Sequence, residues 1–149
     1  MKLVVFGSRR IAKYAGQPRE EQRLFKKDDV QEIVQRLAEF RKNLRSEDKE
    51  IEELVCGLAK EGADLLGYCW AEWEGIPIKE FPADWKKYGK AAGHIRNKQM
   101  AAYADFGIGV WDGFSSGTRN MIKELEAHDK SYIIWPVGLG NQRRTEGVD

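Results

Sequence analysis

The segment Trp111–Asn120 (WDGFSSGTRN) carries the sharpest chemical pattern in the chain. An apolar run ends at Trp111, a turn rich in glycine and serine follows, and helical spacing begins at Gly117-Thr118. Backbone N–H groups at such a helix start cradle phosphate, helped by the helix dipole. Glycine lets a ligand approach the backbone closely. Asp112, Gly113, Ser115, Gly117 and Thr118 are therefore candidate ligand residues. The same pattern also serves as an ordinary strand-to-helix turn with a Ser/Thr cap. It has neither the lysine of a Walker loop nor the GxGxxG spacing, and no cofactor is expected.

Gly7-Ser8-Arg9-Arg10 repeats the theme after the first apolar run. Ser8 offers a hydroxyl and Arg9 a bidentate grip on phosphate, although small residues are common in plain turns. Gly62-Ala63-Asp64 opens a helical stretch; Asp64 is either a helix cap or an acceptor for ribose hydroxyls. In Gly93–Met100 (GHIRNKQM), Arg96 and Asn97 stand near a helix start. Lys98, two positions from Arg96, cannot share its face, so one of the two points to solvent. His94 suits a proton carrier or a solvated loop residue. Trp85, Tyr88 and Trp111 suit base stacking or the core. Two cysteines (Cys56 and Cys69) and two scattered histidines show no zinc-ligand spacing, so no metal is expected.

The elements that must position these residues follow from periodicity. Lys2–Phe6 is a β-branched apolar run, the mark of a strand buried on both faces. A long basic segment, Gly7–Lys27, precedes a helix from Asp29 to about Asn43, with Val30, Ile33, Val34, Leu37, Phe40 and Leu44 on one face. Leu54–Cys56 is a short strand. A helix runs from Gly62 with Leu66, Cys69, Trp70 and Trp73 inward, and Gly75 stops it. Ile76–Phe81 is the next strand, Pro82–Gly93 a loop or short helix, and Ile95–Tyr103 a third helix. Phe106–Trp111, Thr118 to about His128 and Tyr132–Val137 complete a strand, a helix and a last strand. This alternation predicts an α/β fold of parallel βαβ units in one domain over 1–137, with a polar tail over 138–149. In an open parallel sheet the ligand sits beyond the carboxyl ends of the strands, where the candidate residues fall.

Composition narrows the function. The chain has 149 residues, 42% hydrophobic and 33% charged, which is a globular composition. No apolar run reaches the roughly 18 residues of a membrane span, and MKLVVFGSRR is too short for a signal peptide. Two cysteines cannot build a disulfide framework, so buried thiols in a reducing cytoplasm are expected. The net charge of +1 argues against a nonspecific nucleic-acid binder. The charge is uneven, with eight basic against two acidic residues in 1–27, enough to serve one anionic ligand.

Four segments together resemble a known family: VVFGSRR, GLAKEGADLLG, WAEWEGIPIKEFPADWKKYGKAAGHIRNKQM and VWDGFSSGTRNMI. They resemble the YspA-type branch of the SLOG superfamily, named for the DNA-processing protein DprA and the cytokinin-activating LOG enzymes. The resemblance implies a single Rossmann-like three-layer domain with a parallel sheet of about five strands. It also implies a nucleotide or phosphoribosyl ligand and a homo-oligomer. Gly113…Gly117-Thr118 resembles the phosphate loop of LOG enzymes, and Arg96–Met100 their RKxxM segment with Asn97 in place of lysine. Where LOG enzymes carry a catalytic glutamate pair after the Gly-Thr, this chain has Asn120 and Met121. The expected function is therefore binding of a nucleotide-like small molecule by Gly7, Ser8, Arg9, Gly62, Asp64, Arg96, Asn97, Asp112, Gly113, Ser115, Gly117 and Thr118, as a sensor or sequestering protein. The rival is hydrolysis of a nucleotide N-glycosidic bond, with Asp64 or Asp112 as the catalytic carboxylate. A DNA-associated role is a third, disfavoured by the near-neutral charge.

Overall fold

A computed structural model describes residues 1–8, 27–58, 62–111, 113 and 115–136, with backbone alone for 27–29. Five strands form one parallel sheet: β1 (Lys2–Gly7), β2 (Glu53–Cys56), β3 (Ile78–Glu80), β4 (Phe106–Trp111) and β5 (Ser131–Pro136), in the order β3-β2-β1-β4-β5. The helices are α1 (Lys27–Ser46), α2 (Gly62–Glu74), the single turn α3 (Trp85–Tyr88), α4 (Ala92–Tyr103) and α5 (Ser116–Ala127), with a 3₁₀ turn at Gly89–Ala91.

Successive side chains of β1 point to opposite faces, and both faces are buried. Leu3 and Val5 join Ile33 and Leu37 of α1 and Leu66 and Trp70 of α2. Val4 and Phe6 join Met100 and Ala101 of α4 and Met121 and Leu125 of α5. The result is the expected three-layer Rossmann-like α/β domain, with two long helices on each side of a parallel sheet. On β4, Gly107 and Gly109 lie on the second face. A side chain at Gly109 would meet the Phe6 ring at 2.8 Å and Ile134 at 2.7 Å. The alternating glycines of FGIGVW thus leave room for Phe6, and the strand continues through them.

Several boundaries differ from the sequence expectation, for local reasons. The helix stop at Gly75 holds: Gly75 has φ 70°, its N–H donates to Glu72 O, and the N–H of Ile76 donates to Ala71 O at 2.9 Å. These bonds form a Schellman cap. Ile76 and Pro77 complete it, so β3 shrinks from the predicted Ile76–Phe81 to Ile78–Glu80. Trp73 was expected inward but is 69% exposed. The buried face of α2 is centred on Ala63, Leu66, Gly67 and Trp70, and at 100° per residue Trp73 lies about a quarter-turn away. Cys56 is buried and Cys69 only half-buried. α1, α4 and α5 all begin earlier than their apolar periodicity shows; α4 grows directly out of the 3₁₀ turn with Ala92 buried, and α5 starts behind the Ser115 cap. The basic segment, Lys60-Glu61 and the tail lie outside the described residues.

Replacing Gly109 by alanine should destabilise the domain by about 1–3 kcal/mol, the usual cost of overpacking a filled core. Urea unfolding measures it; a change within about 0.5 kcal/mol, the range of ordinary surface substitutions, would show that Phe6 and Ile134 yield freely.

Candidate functional site at the carboxyl ends of the strands

The chain leaves β1 toward one face of the sheet and leaves β4, its neighbour, toward the other. This divergence creates the crevice in which open α/β sheets bind ligands. Its floor is Gly7-Ser8. A Cβ on Gly7 would lie 2.0 Å from the carbonyl oxygen of Val110 and 2.9 Å from the Ala63 methyl. Only glycine permits that approach, at φ 155°. Ser8 is fully buried. Its N–H donates to Val110 O at 2.8 Å, and its carbonyl accepts from the N–H of Ala63, in the first turn of α2, at 3.3 Å. Ser8 therefore ties the end of β4 to the start of α2. Gly62, with φ 77°, and half-buried Asp64 belong to that same first turn.

The other wall is the start of α5. Ser115 is its N-cap: the Thr118 N–H donates to Ser115 Oγ at 3.3 Å, and the Thr118 hydroxyl meets the same oxygen at 2.9 Å. Gly113 turns with φ 88°, and the Trp111 indole N–H donates to Ser115 O at 3.3 Å. An added side chain at Gly117 would meet nothing within 4 Å, so the space beside the first turn is open. Asn97 is 7% exposed. Its amide donates to Asn120 Oδ1 at 2.9 Å and to Gly117 O at 3.4 Å, which fixes α4 to the start of α5.

Arg96 goes elsewhere. Its Nη1 donates to Gly57 O at 2.5 Å, and a Cβ on Gly57 would collide with the guanidinium at 2.8 Å. Gly57 is thus the seat of Arg96 at the end of β2. Lys98 and His94 are exposed. Trp85 and Tyr88 are also exposed and belong to no core. A cavity of about 180 Å³ lies beside Arg96, lined by Tyr88 and Gln99 among others. Sequence reasoning missed Gln99, whose only signal is its i, i+3 spacing from Arg96. It also missed Leu58, a partly exposed leucine with φ 60° just past the end of β2. Arg9 and Asp112 lie outside the described residues. Among the described residues no cluster of His, Cys, Asp or Glu could hold a metal ion, and no helix is long and apolar enough to cross a membrane.

Cys56 ends β2 inside this rim. Burial pushes its thiol up to about 11, reinforced by the Asp64 carboxylate and opposed by the Leu58 N–H on its sulfur and by Arg96. The thiol is neutral at physiological pH and unsuited to nucleophilic work. Asp64 and Arg96 bias it in opposite directions.

With this geometry in hand, the chain can be assigned. It belongs to the YspA, cpYpsA-related SLOG family, whose model matches residues 1–88. The match takes in β1, β2 and the first turn of α2; Arg96 and the Gly113–Thr118 turn lie beyond it. No curated protein and no solved structure matches the chain. Family membership suggests a nucleotide-related ligand.

Because the folded thiol ionises about two pH units above its ordinary value of 9.0, the unfolded chain deprotonates first. The Cys56 contribution to stability is full below pH 9 and should be lost as pH rises from about 9 to about 11. Cys56→Ala should flatten that part of the stability–pH curve. An identical slope in both proteins would show that the thiol is not desolvated.

Proposed function

We propose that the chain binds a nucleotide-derived, phosphoribosyl-type small molecule at the carboxyl ends of its strands, as a sensor or sequestering protein. The observation that carries this reading is the open first turn of α5 beside the β1/β4 crevice. The first amides of a helix have no carbonyl partner within it, and the dipole adds partial positive charge. In this reading the phosphate lies on the Gly113–Thr118 turn, with Gly7 and Ser8 as floor and Arg9 as countercharge. Asp64 and Gly62 face the sugar, and a carboxylate there accepts ribose hydroxyls. Asn97 acts on the turn from behind, since its amide hydrogens go to Gly117 and Asn120. We place the protein in the cytoplasm as a homo-oligomer, on the family resemblance and the free cysteines.

One observation favours the hydrolase alternative: Asp64 stands half-buried in the first turn of α2, within the electrostatic reach of Cys56 at the end of β2. An N-glycosidase needs such a carboxylate to stabilise oxocarbenium charge or activate water. The residues after Gly117-Thr118 are arginine, asparagine and methionine, so the catalytic pair of LOG enzymes has no counterpart there.

Gly117→Glu tests the phosphate site without disturbing the fold. The site is open and exposed, and an acidic residue in a first turn is compatible with the helix dipole. The melting temperature should be unchanged or higher, while calorimetric affinity for nucleoside monophosphates falls roughly 10- to 100-fold, the size of a lost charge-assisted contact. Full affinity in this variant would rule out the α5 turn as the anion site. For the alternative, wild type is incubated with nucleoside monophosphates and free base is followed by chromatography. No base release is expected. Steady release that disappears in Asp64→Asn, where a loss of ~10²–10⁴-fold is typical for a general acid or base, would make the protein an enzyme.

A further inference from the structure

Strand β3 lies at one edge of the sheet and β5 at the other. A free edge presents unpaired N–H and C=O groups that recruit another strand, and proteins blunt such edges with shortness, charge, proline or bulges. β3 is blunted in two of these ways: it is three residues long and carries Lys79 and Glu80. β5 is not. It runs for six residues without a charged side chain. Its register with β4 is unbroken from Ser131 to Pro136, so no bulge turns the edge away. Pro136 stands at the last position and blocks nothing before it. Among the described residues β5 pairs with β4 alone. Ile133 is 36% exposed at the middle of this edge. Its neighbours lean inward, Trp135 on the α1/α2 side and Tyr132 and Ile134 on the α4/α5 side.

The pattern along the strand matches its own copy. We propose that β5 pairs antiparallel with β5 of a second copy about a two-fold axis through Ile133, joining two five-stranded sheets into one. Successive side chains of a strand alternate between faces, and residues directly opposite each other share a face. A symmetric pair must therefore join two odd or two even positions. Centring on Ile133 meets this condition and uses all five residues before Pro136. Ser131 then opposes Trp135, Tyr132 opposes Ile134, and Ile133 opposes itself. Tyr132 with Ile134 is an aromatic–β-branched pair, a kind that stabilises sheets. Centring on Ile134 instead would put Pro136, which has no N–H to give, opposite Tyr132. The strand has no charge, so no like charges meet when it faces its own copy. One patch serving both subunits is what a two-fold dimer requires.

Both helical layers send a polar group to this edge. The Arg36 guanidinium of α1 lies 5.7 Å from the centre of the Trp135 ring. On the other face the Tyr132 hydroxyl donates to the Glu126 carboxylate of α5 at 2.6 Å. They give the apolar centre a charged rim, as protein interfaces have. Antiparallel pairing also points the carboxyl ends of the two sheets in opposite directions, so the start of α5 stays open in each copy. The proposal deepens the homo-oligomer reading above and rests on it, supplying the contact that reading lacks.

Sedimentation of the full chain over a concentration series should show a dimer. Ile133→Lys places two like charges opposite each other on the axis and should raise the dissociation constant roughly tenfold or more. Ile133→Cys should close a disulfide between copies on oxidation, because directly opposite Cα atoms are about 4.5–5.5 Å apart. Ser131→Cys should not, because the two copies of residue 131 would lie roughly 14 Å apart, past the ~7 Å limit for a bridge. Wild type, with Cys56 and Cys69, is the control on the same non-reducing gel. If Ile133→Lys fails to fold, the two cysteine variants decide. A wild-type dimer that Ile133→Cys does not bridge, or that folded Ile133→Lys leaves intact, overturns this interface while the homo-oligomer stands. A wild type that is monomeric at every concentration, as it would be if residues 137–149 occupied the edge, removes both.

Discussion

Everything at the carboxyl rim depends on the contact of Gly7 and Ser8 with the end of β4. Gly7 brings the backbone of β1 against Val110, closer than any side chain allows. Ser8 then bonds Val110 on one side and the first turn of α2 on the other. With both of its backbone groups committed and its side chain buried, this residue fixes where two strands and one helix meet. The crevice follows from sheet order, because the chain leaves β1 toward one face and its neighbour β4 toward the other. Two helix starts, those of α2 and α5, are thereby delivered to the same end of the sheet. Both helix starts carry partial positive charge from the helix dipole to that end of the sheet.

The rim also sorts its charges. Arg96 is seated on Gly57 and Asp64 occupies the start of α2, and both are felt by the Cys56 thiol between them. Asn97, one residue on from Arg96, is spent on Gly117 and Asn120. Two adjacent residues of α4 thus do different work: one braces the start of α5 and the other borders a cavity.

The fold was legible because the apolar patterns are strong. KLVVF is buried on both sides, and the helical faces of Val30–Leu44 and Met121–Leu125 point to the core as their spacing requires. The turn before α5 was legible for a different reason: a serine three residues before Thr118 is a recognisable helix cap, and Ser115 is that cap. What could not be read depended on tertiary partners. Trp73 shares an apolar type with Trp70, but its angular position on α2 leaves it in solvent. The need for glycine at position 57 comes from Arg96, 39 residues on, whose guanidinium lies against it. Asp84 and Tyr88 come from a segment with no periodicity, and only its packing against α4 brings them beside Arg96 and Gln99.

Amide-resolved NMR during titration with a nucleoside monophosphate tests the central claim most directly. The account predicts the largest shifts at the amides of Ser8, Gly117 and Thr118, with smaller ones around Ala63 and Asp64. Shifts confined to the opposite end of the sheet, around Met1, Glu53 and Tyr103, would contradict it.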